Sequence, residues 1–134
     1  MKMLQAQPAL SVKDMARSIG FYRDKLGLSF VLETEGFAIF RRDAVELHLW
    51  LANDESWRTR EDTRPVTSGA ESFLAGTGSC RIFVEGVEEL FRTLQPLGII
   101  HGNAPLTDQP WGDRDLAVQD PDGNLVTFFE GLPG

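Results

Sequence analysis

Two histidines, one cysteine and scattered carboxylates are all that the chain offers for acid–base or nucleophilic chemistry. A general base must reach the proton it removes, and no serine or cysteine stands at a telling spacing from His48 or His101. Cys80 is alone, so an internal disulfide is impossible, and a buried free thiol is its ordinary role. The chain has no glycine-rich phosphate loop and no HExxH metal motif. Glu46 and His48 lie two apart in VELHLWL, so on a strand they share one face. What is plentiful is flat aromatic surface: Phe37, Phe40, Trp50, Trp57, Phe73, Trp111 and the pair Phe128-Phe129. Stacking on such rings contributes about 0.5–1.5 kcal/mol per pair beyond the area buried. The chemistry expected from these residue types is therefore the holding of planar rings.

The elements that would position them are legible in the local pattern. PLTDQPWGDRDLAVQDPDGNLVTFFE, Pro105 to Glu130, reads as an irregular approach, a Pro-Trp-Gly corner, a strand over about 113–119, a turn and a closing strand over 124–130. In the turn, Asp120 can accept from backbone N–H groups two residues on, Pro121 presets φ, and Gly123 supplies a positive φ. Trp111 is held on the corner where the first of these strands begins. An indole there fills a core or walls a ligand slot.

Toward the N-terminus, a Pro-interrupted apolar stretch over 4–12 predicts a strand with Pro8 at an edge or bulge. DMARSIGFYRDKLG then places Met15, Ile19, Tyr22 and Leu26 at helical spacing, with Asp14 as N-cap and Gly27 at C′. Strands follow over about 28–33, 36–42 and 45–51. The second half repeats the order roughly sixty residues later: a strand over 79–84, a helix over 87–97, a short strand over 99–102 and the Trp111 hairpin. The predicted class is α+β, with two βαβββ modules, about 1–52 and 78–134, in one domain of 134 residues. The segment 52–77 between them is polar and turn-rich yet carries Trp57 and Phe73, which suits a lid, an interface arm, or a solvated loop whose aromatics tuck onto the core.

Composition sets limits on partners. A net charge of −7 argues against nucleic acid and anionic membranes, because phosphate rewards clustered Lys and Arg. An acidic field favours cationic ligands. With 42% apolar residues the chain can build a core, and no run approaches the length of about eighteen apolar residues that spans a bilayer. The single cysteine and the lack of a signal-like N-terminus lead us to expect a cytoplasmic protein.

The pairing of ALSVKDMARSIGFYRDKLGLSF with QPWGDRDLAVQDPDGNLVTFF resembles the vicinal oxygen chelate superfamily of glyoxalases, bleomycin resistance proteins and dioxygenases, over nearly the whole chain. The second segment is most similar to the bleomycin-binding branch, where a Pro-Trp-Gly corner, a basic residue, a strand and an Asp-Pro-x-Gly-Asn turn follow in this order. The resemblance implies sheets curved around a cleft and a homodimer in which each groove is shared between subunits. Enzymes of the superfamily hold a metal with four inward ligands. Carried over residue by residue, these positions fall on Gln7, on Glu46 or His48, on Ser79 and on Thr127. The last two are poor ligands for a divalent ion, so the set looks vestigial and no cofactor is expected.

The resemblance further implies that Phe37 and Trp111 stack a ligand, that Trp50 and Phe73 wall it, and that Asp113, Asp115 or Glu46 meet a positive charge, with His48 on the same face as Glu46. The resulting expectation is a bleomycin-resistance-like protein that binds and sequesters a planar cationic natural product without converting it. Two readings stand against it. One is a metal-dependent lyase, isomerase or dioxygenase using Zn, Ni, Fe or Mn; the other is an interaction module whose pocket is filled by its own aromatics.

Overall fold

Alternation of apolar residues decides which side of each strand is buried. A computed structural model describes residues 1–52, 69–70 and 74–134. In it β3 (Phe37–Arg42) buries Ala38 and Phe40, and β4 (Val45–Leu51) buries Leu47 and Leu49. The other side of the pleat carries Phe37, Ile39 and Arg41 beside Trp50, His48 and Glu46, their cross-strand partners in the antiparallel register. Strand β1 (Ala9–Val12) runs parallel to β4, and β2 (Ser29–Thr34) closes the far edge, giving the order β1-β4-β3-β2.

The second sheet repeats the plan with β5 (Ser79–Phe83), β6 (Thr107–Asp108), β7 (Asp113–Gln119) and β8 (Leu125–Gly131) in the order β5-β8-β7-β6. Again the outer pair β5 and β8 is parallel. Helix α1 (Met15–Gly20) follows β1, and α2 (Val87–Leu94) follows β5. The chain is thus an α+β fold of two βαβββ modules, each with one four-stranded mixed sheet. Equivalent first strands begin at Ala9 and Ser79, so the repeat is longer than the spacing read from sequence.

Local chemistry explains the departures from expectation. The first strand is shorter than 4–12, because Pro8 has no N–H to donate; residues 1–7 are exposed, and Gln5 Nε2 donates to the carbonyl of Ala44. The helix capped by Asp14 widens after Gly20 into a π turn (Phe21–Lys25), which lets consecutive Phe21 and Tyr22 both be buried; Gly27 ends it at φ +73°. Helix α2 tightens into a 3-10 turn (Gln95–Leu97) where Pro96 removes a donor. The strand expected over 99–102 is reduced to a single bridge between Ile100 and Val118, and the edge partner of β7 is instead β6.

One hydrophobic cluster draws on both modules, with Leu10, Tyr22, Phe40 and Leu49 from the first and Val87, Leu116, Val126 and Phe128 from the second. Burying one such large side chain is worth about 1.5–3 kcal/mol. Polar groups cross the same junction. Asp120 Oδ1 accepts from the backbone N–H groups of Asp122, Gly123 and Asn124, while Oδ2 accepts from Tyr22 Oη at 2.8 Å and Asn124 Nδ2 at 2.9 Å. Asn124 Nδ2 also donates to the carbonyl of Ser11, and its Oδ1 accepts from the N–H of Gly78. The turn motif therefore holds the hairpin and fastens module 2 to β1 of module 1. Gly76 adjoins it so closely that a Cβ there would lie 1.9 Å from the carbonyl oxygen of Asp122.

Candidate functional site

The strand face left open by the core of module 1 is aromatic with one charged end. The rings of Phe37 and Trp50 stand 4.5 Å apart, and Phe37 meets His48 edge-on at 5.2 Å. Next to them Glu46 is held from two sides, by Arg41 Nε at 2.6 Å and His48 Nε2 at 2.7 Å. An ionised carboxylate only accepts, so Nε2 of this ring is the donor in the pair. The Arg41 guanidinium first, and His48 second, hold the Glu46 carboxyl below the usual carboxylate range. Four residues selected from the sequence, Phe37, Glu46, His48 and Trp50, are thus brought together.

Trp111, Asp113 and Asp115 lie apart from these, on the second sheet. Trp111 is 63% exposed, which excludes the core-filling role for this indole. Its Nε1 donates to Asp113 Oδ2 at 3.1 Å, and the same oxygen accepts from Arg81 Nη2 at 3.1 Å. The Arg81 guanidinium lies 4.2 Å over the ring of Phe129, which in turn contacts Phe83 at 5.4 Å. Asp115 is almost buried and accepts from Gln109 Nε2 at 2.9 Å. Among the described residues no ring contact joins the Phe37 group to the Trp111 group.

Several sequence assignments change. Phe40 and Phe128 are core residues, because alternation turns them away from Phe37 and Phe129. Asp113 is already neutralised by Arg81, and Glu46 by Arg41, so neither is a free anion awaiting a cation. Phe73 and Trp57 lie outside the described residues. Phe129 keeps its place on the aromatic surface, whereas Arg81 and Phe83 beside it were not singled out from the sequence; the signal available was the pleat of β5, where they alternate with buried Ile82.

The model of the glyoxalase/bleomycin resistance protein/dioxygenase superfamily matches residues 4–128. The chain belongs to that superfamily. A bleomycin resistance protein of Staphylococcus aureus is 56% identical over 130 residues, covering 97% of this chain and 98% of that protein. Two solved structures superpose to the same extent, each with a TM-score of 0.74 at 25% identity. One is a bleomycin-binding protein from bleomycin-producing Streptomyces verticillus complexed with copper(II)-bleomycin, covering 98% of both chains; the other is a lactoylglutathione lyase from Agrobacterium tumefaciens, covering 97% of this chain and 95% of that one. The superfamily fold alone therefore leaves the chemistry to the site residues.

At the four positions that resemble superfamily metal ligands, the donor set does not fit a divalent ion. Gln7 is exposed on the arm before β1, both oxygens of Glu46 are engaged by cationic or N–H donors, and Ser79 and Thr127 offer neutral hydroxyls. Glu130 turns to the other side of β8, where its carboxylate accepts from the N–H groups of Gly86 and Val87 and caps α2, whose own N-cap is a glycine. A cavity of about 900 Å³ lies between the modules on the helix side, lined by Leu26, Ile82, Leu94 and Phe128 and reached at its edge by Phe83.

Proposed function

We propose that the chain sequesters a planar natural product of the bleomycin type without converting it, as a homodimer. The observation that carries the reading is a pair of open aromatic sheet faces, Phe37 with Trp50 on one and exposed Trp111 on the other, in a chain 56% identical to a bleomycin resistance protein. Exposed aromatic surface of this kind usually marks a binding face. Within one chain the two faces do not meet, so a second copy that sets the first sheet against its partner's second sheet completes two equivalent grooves. The scarcity of groups poised for chemistry supports binding over catalysis: His48 is committed to Glu46, and burial pushes the Cys80 thiol up to about 11, against attack as a thiolate. A cytoplasmic location belongs to the same proposal; separately, among the described residues no helix is long and apolar enough to cross a membrane.

The test is a titration of metal-free and copper-loaded bleomycin into protein of determined metal content, followed by tryptophan fluorescence and melting temperature. Saturation near one drug per chain with a raised melting temperature is expected. No response to either drug form, with stoichiometric bound metal, would overturn sequestration and favour a metal-dependent enzyme.

A further inference from the structure

A continuous line of contacts crosses the open face of the second sheet: Phe83 to Phe129, Phe129 to Arg81, Arg81 to Asp113, Asp113 to Trp111. Arg81 is its centre. One face of its guanidinium is covered by Phe129, one N–H is bound by Asp113, and the side chain remains 48% exposed. Among the described residues it has no other hydrogen-bond or ion-pair partner, so most of its five N–H donors and its second face are open. The nearest carboxylate is occupied by Arg81 and Trp111 together, and the other carboxylate of this face, Asp115, is nearly buried under Gln109. Arg81 and Asp113 balance each other in formal charge, but the guanidinium is the more exposed partner, 48% against 23%, so what this pair turns outward is unused N–H donors rather than carboxylate oxygen.

We propose that the Arg81–Phe129 stack is a subsite that receives the flat portion of a ligand that is neutral or anionic, and turns a cationic portion away. A ring laid on the free face of the guanidinium would extend the Phe129–Arg81 stack by a third layer, with Trp111 beside it. A carboxylate or other oxyanion on that ring would meet the unused N–H donors in the plane of the guanidinium. A positively charged ring meets like charge at the same place. The subsite rests on the ligand-binding reading above and fixes which end of the ligand lies on the second sheet; a cationic tail must point elsewhere.

The test uses two probes of one shape and opposite charge, quinoline-2-carboxylate and quinolin-2-ylmethylammonium, titrated into the full chain by fluorescence and by chemical-shift changes. The wild type should bind the carboxylate tighter by about threefold, the scale of one exposed charge pair. Arg81→Gln should bring that ratio to one or below, because it also leaves Asp113 unpaired, while Trp111→Ala should weaken both probes and keep the ratio. Arg81→Lys retains charge without the planar stack, so the preference should persist with both probes weaker than in the wild type. An unchanged ratio in Arg81→Gln, or a wild-type preference for the ammonium, overturns the subsite. If bleomycin saturates the wild type and Arg81→Gln leaves the ratio unchanged, the subsite fails and sequestration stands. If the ratio collapses in Arg81→Gln but bleomycin gives no response, sequestration fails and the subsite stands.

Discussion

Tyr22 Oη lies 2.8 Å from Asp120 Oδ2, joining the end of the first helical segment to the hairpin turn of the second module across 98 residues of sequence. Tyr22 is wholly buried, and this carboxylate oxygen otherwise has only Asn124 Nδ2. Tyr22→Phe removes one of the two donors and leaves this buried oxygen with Asn124 Nδ2 alone. The expected loss of stability is about 1–3 kcal/mol, read from urea unfolding. The two aromatic faces should keep their fold, since neither depends on this hydroxyl; a loss within 0.3 kcal/mol of zero, about the resolution of such comparisons, would mean that water replaces it.

The same tyrosine sets an alkaline limit. Burial first, and the adjacent Asp120 second, push its hydroxyl well above its ordinary value of 10.0. A raised folded-state pKa gives stability that is complete below the unfolded value and is lost as pH rises beyond it. The wild type should therefore lose stability more steeply than Tyr22→Phe above about pH 10. Parallel curves in that window would show that Tyr22 makes no such contribution.

Acid acts on Glu46 in the opposite sense. Its carboxyl is held below its ordinary value of 4.5 by Arg41 and then His48, so its contribution is present above that value and fades as pH falls through the lower folded value. Between pH 5 and pH 3, roughly the carboxylate range, the wild type should lose more stability than Glu46→Gln. Urea midpoints collected across this range decide the matter, and equal slopes would leave the Arg41–Glu46–His48 cluster without thermodynamic weight.

Ligand binding should be more sensitive to rings than to carboxylates. Trp111→Ala should weaken bleomycin binding by at least about 1 kcal/mol, and Phe37→Ala by a similar amount, since it also leaves Trp50 without its neighbour at 4.5 Å. Asp113→Asn should have a smaller effect, because that carboxylate is already paired with Arg81. Calorimetric titration of the three variants gives the order, and an Asp113 effect exceeding both aromatic ones would restore direct recognition of a cation.

Helix α2 begins at a glycine and takes its cap from a distant strand. Removing the Glu130 carboxylate in Glu130→Ala leaves the N–H groups of Gly86 and Val87 unbonded, at a cost of about 0.5–2 kcal/mol, the usual range for a lost cap. Thermal unfolding measures it. Ligand affinity should be unaffected, because Glu130 faces away from Thr127 and the open sheet face.

Local rules carried far. Alternation in VELHLWL predicts that Glu46 and His48 share a side, and Asp120-Pro121-Asp122-Gly123 predicts a turn; both form. Where local rules conflicted with backbone chemistry, the backbone prevailed, as at Pro8, which shortens β1, and at Pro96, which ends α2 early.

The sequence by itself determined the two modules and most of their strands, because periodicity and turn chemistry act over a few residues, but it did not separate outward Phe37 and Phe129 from core Phe40 and Phe128. Only the tertiary structure decided which charges remain free. Asp113 and Glu46 read as available carboxylates, yet Arg81 and Arg41 reach them from neighbouring strands; nothing local in the sequence marks Glu130 as the cap of a helix more than forty residues away in the chain. Such pairings depend on strand order and register, which bring together residues whose spacing along the chain carries no sign of the meeting.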